Sequence, residues 1–300
     1  MNINNTKFLI VGGASKSGTT AIYYYLKQNP AFFLPEKKEL HYFSRQYLEN
    51  RMAGKGDRYV CEEIPKTMGD YFGFYKDLKP EMIPVDISPS YLFYSKASHE
   101  IKTNVTNPFV VFILRNPVDK IFSQYVHLVG EGRESLPFSD ALAEEGRRKE
   151  AGYSDMWLYQ ESGYYADSIE EYCSTLGRDK VKIFYYEEFL ESPKSVLDEI
   201  CELIGVPSDF DFDEVSDVNK SGAPKSQLLA KLLAPNKFTY LARRVLPKSF
   251  GRVARKIVKD FNTGRKPNLD SDLRTRLLDK YRDDIKRVEG LVGRSSGWVK

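Results

Sequence analysis

Three groups of side chains in this 300-residue chain have types and spacings that could do chemistry. The first is Gly12-Gly-Ala-Ser-Lys-Ser-Gly-Thr-Thr20, a glycine-rich run with a lysine and several hydroxyls. Glycine lets the backbone approach an anion, N–H groups at a helix start point into such a loop, and the helix dipole favours negative charge. The run therefore reads as a phosphate cradle, with Lys16 as a mobile point charge. The second group is Arg115 with Ser123 on the helix that follows, a second anion site in which a guanidinium fork is joined by a hydroxyl donor. The third is Glu36-Lys-Lys-Glu-Leu-His41. A transfer to a hydroxyl needs a general base whose pKa its neighbours tune, and Glu39 and His41 are the candidates, although a charged surface turn fits the same residues.

These groups need a scaffold to hold them. The apolar Phe8–Val11 reads as a buried strand, 12–18 as a tight loop and Thr19–Gln28 as a helix with Ile22, Tyr25 and Leu26 inward. Phe32–Leu34 is a short extended piece, 45–79 helical pieces and loops, and Ile83–Ile87 a second strand ending in Ser88-Pro-Ser-Tyr91. Phe109–Leu114 is the strongest strand, suited to the centre of a parallel sheet. Asn116 follows as a helix N-cap and Pro117 as first helical residue, with Ile121, Phe122, Tyr125 and Leu128 on the apolar face and Ser123 off it. Arg115 thus stands at a strand's carboxyl end, where open α/β sheets bind ligands. Further on, Ser139–Ala151 reads as a charged, solvated helix, Ala166–Leu176 as a helix, Lys180–Tyr186 as a strand, and 194–204 and 269–291 as amphipathic helices. Strands alternating with helices predict one domain over 1–300, a three-layer α/β/α fold with a central parallel sheet and a P-loop-like strand–loop–helix.

Composition narrows the class. With 20 Tyr and 18 Phe a core is assured, and the net charge of +3 is unevenly spread. Between Lys225 and Lys266 stand twelve Lys/Arg against one acid, a basic helical segment that suits an anionic polymer or a membrane surface. Cys61, Cys173 and Cys201 are odd in number and widely spaced, so neither a disulfide framework nor a metal site is expected, and the expected compartment is reducing. The first apolar run is too short for a signal peptide and no stretch approaches about 20 apolar residues, so a soluble, intracellular protein is expected. A P-loop kinase or NTPase would need its lysine directly after the second glycine. Here Thr19 stands at that place, and the strongest strand ends in Arg115 where a Walker B acid would be. A non-catalytic polyanion-binding module is the other alternative.

The order Lys16-Ser-Gly-Thr-Thr20 resembles the 5′-phosphosulfate loop of sulfotransferases that use 3′-phosphoadenosine 5′-phosphosulfate (PAPS). Lys38-Glu-Leu-His-Tyr-Phe43 is similar to a segment of the heparan-sulfate-type and related bacterial members, and Arg115-Asn-Pro with Ser123 and Tyr125 resembles the family's 3′-phosphate motif. The resemblance implies in-line sulfuryl transfer with PAPS as co-substrate and no metal. It implies Lys16 on the leaving group, Ser17, Gly18, Thr19 and Thr20 on the 5′-phosphate, and Arg115 and Ser123 on the 3′-phosphate. Glu39 is the implied base, with His41 in reserve. Looser likenesses add Ser162 and Tyr164 beside the nucleotide, and Asn219, Ser221 and Lys225 in a loop that closes over it. Ile87 replaces the family's lysine before Ser88. The implied acceptor is a hydroxyl, or an amine, on a carbohydrate or glycolipid. The implied setting is the cytoplasm, peripheral to a membrane if the basic segment docks there, with no nucleic-acid partner.

Overall fold

The computed structural model describes residues 7–215 and 267–299. Asn219, Ser221, Lys225 and the basic segment 225–266 lie outside the described residues. Five strands, β1 (Phe8–Gly13), β2 (Phe32–Phe33), β3 (Ile83–Ile87), β4 (Pro108–Leu114) and β5 (Val181–Tyr185), form one sheet in the order β2-β3-β1-β4-β5, with every pairing parallel. The helices are α1 (Thr19–Leu26), α2 (Arg45–Leu48), α3 (Asp57–Glu62), α4 (Met68–Gly73), α5 (Ser90–Phe93), α6 (Ala97–Asn104), α7 (Pro117–Gly130), α8 (Phe138–Ala143), α9 (Glu145–Glu150), α10 (Ala166–Leu176), α11 (Tyr186–Glu191), α12 (Pro193–Ile204) and α13 (Ser271–Val292).

Period-two side-chain alternation divides the strands between two cores. Leu9, Val11, Val85, Ile87, Val111 and Ile113 pack with Ile22 and Leu26 of α1 and Val196, Leu197 and Ile200 of α12. Phe8, Ile10, Val110, Phe112 and Ile183 pack on the other face with Ile101 of α6, Ile121 of α7, Ile169 of α10 and Ile285 of α13. Ile87 is spent in the first core, so the position where the resembled family carries a lysine is apolar and buried here.

The apolar runs become strands because a sheet covered on both faces needs continuous hydrophobic sequence. The capping signals act as their chemistry requires: Asn116 Oδ1 accepts from the N–H groups of Val118 and Asp119 at 3.0 and 3.4 Å, and Gly205 ends α12 at φ 75°. One expectation fails. Residues 139–151 are not a solvated helix but two short ones, with Glu145 and Arg148 buried. Glu145 accepts from the Gln160 and Glu161 N–H groups at 2.7 and 2.8 Å, and Arg148 pairs with Glu134 at 2.7 Å, so each charge has a partner distant in sequence.

Candidate active site

The chain crosses from one side of β1 to the other between β3 and β4, and at such a switch point the strand ends splay into a crevice. A cleft of about 680 Å³ lies there, large enough for a nucleotide and part of a second molecule. Lys16, Gly18, Thr19, Thr20, Glu39, His41, Arg115 and Ser123 all line it.

The loop after β1 leads into α1 through Gly18, at φ 83°. A Cβ there would stand 2.9 Å from the Tyr186 ring and 3.2 Å from that of Phe189, so both backbone and packing demand glycine. Lys16 is also left-handed, at φ 66°. The first N–H groups of α1 have no acceptor within the helix and face the loop. Ser17 Oγ is fully buried and without a partner, a donor the fold leaves unspent. Lys38 Nζ donates to Thr20 Oγ1 at 2.8 Å, leaving the Thr20 proton for an anion. Desolvation pushes the Lys38 ammonium pKa down, against the pull of Glu39.

Arg115 closes the other side. Its Nη1 donates to the Lys16 carbonyl at 3.2 Å and its guanidinium lies over the Tyr186 ring at 5.0 Å, while Tyr165 Oη donates to the Arg115 carbonyl at 3.0 Å. Ser123, one and a half turns into α7, is buried but opens on the cleft. Ser17 itself does not line the cleft, but Lys16, Thr19, Thr20, Arg115 and Ser123 do, a set of cations and hydroxyls that fits a ligand carrying phosphate groups.

The same cleft is lined by the Glu39–His41 turn, whose two named residues both adopt left-handed backbone, at φ 58° and 52°. Strain of this kind persists only where surroundings hold it. The Glu39 N–H donates to the Ile87 carbonyl at 3.1 Å and the His41 N–H to Ser88 Oγ at 3.0 Å. Ser88 in turn donates to Asp86 Oδ1 at 2.6 Å, and Asp86 Oδ2 accepts from Tyr91 at 2.7 Å and Tyr71 at 3.0 Å. Burial pushes the Asp86 carboxyl pKa up in spite of these three hydroxyl donors. Glu39 Oε2 stands 3.9 Å from His41 Nε2, with 47 % of its side chain exposed, so it is an accessible anion. Partial desolvation works against its charge. The positive charge that His41 carries when protonated, then those of Lys38 and His127, prevail and hold the carboxyl at about 2.

Leu48, Val60, His127, Arg133, Asp155 and Met156 also line the cleft. Asp57 binds Arg133 at 2.5 Å and the Trp157 indole at 3.1 Å, which fixes this wall. Behind it the buried Lys120 donates to Gln124 Oε1 at 2.7 Å and to the Ser162 carbonyl at 2.9 Å, and desolvation lowers its ammonium pKa to about 7.

Two residues expected beside the nucleotide stand elsewhere. Ser162 is buried off the cleft with its hydroxyl on the Tyr159 carbonyl at 2.8 Å, and Tyr164 is exposed with its ring edge on Tyr281. Tyr165 is the residue of that element that reaches Arg115. Lys38, Ser90, Tyr165 and Tyr186 escaped sequence reasoning; for Lys38 the signal was its place beside Glu39, and for the others there was none short of three dimensions.

Comparison with known proteins agrees with this geometry. Residues 9–211 match the model of the sulfotransferase family. The chain is 24 % identical over 297 residues to a mouse bifunctional heparan sulfate N-deacetylase/N-sulfotransferase and 25 % identical over 294 residues to a human one. It covers 96 % and 95 % of itself in these matches but only 30 % of each relative's length. Among solved structures, a sulfotransferase from Alicyclobacillus acidocaldarius superposes with a TM-score of 0.78 at 27 % identity, over 97 % of this chain and 98 % of that one. With the glycine-rich loop, Arg115 and Ser123, and the Glu39–His41 turn all lining one cleft, the chain belongs to the sulfotransferase family.

Proposed function

We propose that this sulfotransferase moves the sulfuryl group of PAPS, the donor of its family, to a hydroxyl or amine on a carbohydrate acceptor by in-line displacement. One observation carries the reading: Lys16 and Thr20, Arg115 and Ser123, and the accessible carboxylate of Glu39 all line the same cleft. Ser17, Gly18, Thr19 and Thr20 hold the 5′-phosphate and Lys16 meets the charge that grows on the bridging oxygen. Arg115 and Ser123 hold the 3′-phosphate. The reaction then needs mainly positioning and a proton acceptor, and Glu39 supplies the second. The heparan sulfate enzymes among its relatives support a carbohydrate acceptor. The basic segment 225–266, outside the described residues, is proposed to hold an anionic acceptor or a membrane surface in the cytoplasm.

Glu39→Gln keeps shape and removes the base. It is expected to lower kcat by about 10²- to 10⁴-fold with PAPS affinity retained, in steady-state assays with an oligosaccharide panel. Unchanged kcat would remove Glu39 from the mechanism, and transfer only to non-carbohydrate phenols or steroids would remove the acceptor assignment.

A further inference from the structure

Two buried serines beside His41 constrain the protons around its ring. Ser44 Oγ lies 3.1 Å from the His41 carbonyl oxygen, which can only accept, so Ser44 donates there. Ser90 Oγ lies 2.7 Å from Ser44 Oγ, and with the Ser44 proton spent Ser90 must be the donor of that pair. His41 Nδ1 lies 2.6 Å from Ser90 Oγ, whose single proton is now spent too, so Nδ1 carries the hydrogen. This is the one assignment that satisfies all three contacts. Both serines are buried, and the chain of bonds closes on the backbone of His41 itself. The neutral ring is left with its lone pair on Nε2, the nitrogen that faces Glu39 at 3.9 Å.

We propose that Ser44 and Ser90 lock His41 in the Nδ1–H tautomer, so that Nε2 and the Glu39 carboxylate act as a two-site base for the acceptor proton. The proposal rests on the reading of Glu39 as the base, and it gives His41 a role as that residue's partner, not its substitute. As the acceptor oxygen or nitrogen bonds to sulfur, the bond from sulfur to the 5′-phosphate oxygen breaks and that oxygen leaves with the electron pair. The acceptor's proton passes to Glu39 and on to Nε2, giving an imidazolium whose Nδ1–H stays on Ser90. Nothing is oxidised or reduced. The resulting cation beside Glu39 keeps that carboxylate ionised, which returns the proton to the ring. Ser44 touches neither the ring nor the cleft, so it is a positioning residue and the cleanest place to test the lock.

The chain has three histidines, so long-range ¹H–¹⁵N correlation of the imidazole nitrogens, assigned with a His41→Asn sample, reads the tautomer of the neutral ring directly. The expected result is Nδ1–H at His41 in the wild type. Ser44→Ala frees the Ser90 proton for Nδ1, so the ring is expected to switch to Nε2–H, with kcat reduced about tenfold and KM for PAPS unchanged. Nε2–H in the wild type overturns the lock whatever Glu39 does. A Ser44→Ala ring that switches with no loss of kcat overturns the two-site base. Full activity of Glu39→Gln would instead sink the glutamate reading, while the wild-type tautomer result stands apart from it.

Discussion

Arg115 binds the loop that it faces, through the Lys16 carbonyl, and stacks on Tyr186 while its own carbonyl is held by Tyr165. Such a guanidinium is positioned before any ligand arrives, which lowers the ordering cost of binding. Lys120 is the opposite kind of residue, a cation placed where water cannot reach it. Its folded pKa, about 7, lies below its ordinary 10.5, so between those values the unfolded chain binds more protons. Stability must then rise with pH from about 7 upward, on the order of one kcal/mol per pH unit at most. Buried thiols such as Cys61 and Cys201, pushed up to about 11 from 9.0, act in the reverse sense above pH 9. The window is therefore about pH 7 to 8.5. Urea unfolding across it should show a positive slope that Lys120→Met flattens, even though that variant is less stable overall. Equal slopes would mean that Lys120 keeps its proton when folded, its pKa not lowered by burial.

At the scale of elements, the turn from β1 into α1 carries the strongest constraint. Gly18→Ala adds a methyl 2.9 Å from Tyr186 at φ 83°. It should cost about 1–2 kcal/mol or more and abolish nucleotide binding. Gly73→Ala, exposed at the end of α4 with nothing within 4 Å, should be neutral or stabilise by about 0.5 kcal/mol. Thermal melts of the pair check the contrast; equal shifts would refute it. Elements of this kind were legible beforehand because their signals are local. β3 is the expected 83–87, α10 the expected 166–176, and Asn116 caps α7 as its chemistry predicts. The helix α6 buries only Ala97, Ser98 and Ile101, too sparse a stripe to read. The 139–151 segment misled because the partners of Glu145 and Arg148 lie at Gln160, Glu161 and Glu134, which no window on that segment contains.

At the scale of the whole molecule, the sheet order is what brings residues 16, 39, 115 and 123 to one crevice. Motif order along the chain foretold that gathering, since each motif follows a strand or sits beside one. What it could not foretell is the support: Asp86 holding Ser88, Ser88 holding the His41 backbone, Ser90 and Ser44 holding its ring and carbonyl. Those contacts join segments about 45 residues apart through hydroxyls that look like ordinary turn residues in one dimension. The same distance effect placed Tyr165, not Ser162 or Tyr164, behind Arg115.

The most direct test of the account is calorimetric titration with 3′-phosphoadenosine 5′-phosphate, beside ATP and ADP, on the wild type and Arg115→Ala. The predicted result is tight binding of the bisphosphate, weakened about 10- to 100-fold in Arg115→Ala for the loss of a charge-assisted phosphate contact, with ATP far weaker in both. ATP bound as tightly as the bisphosphate, or bisphosphate affinity indifferent to Arg115, would contradict it.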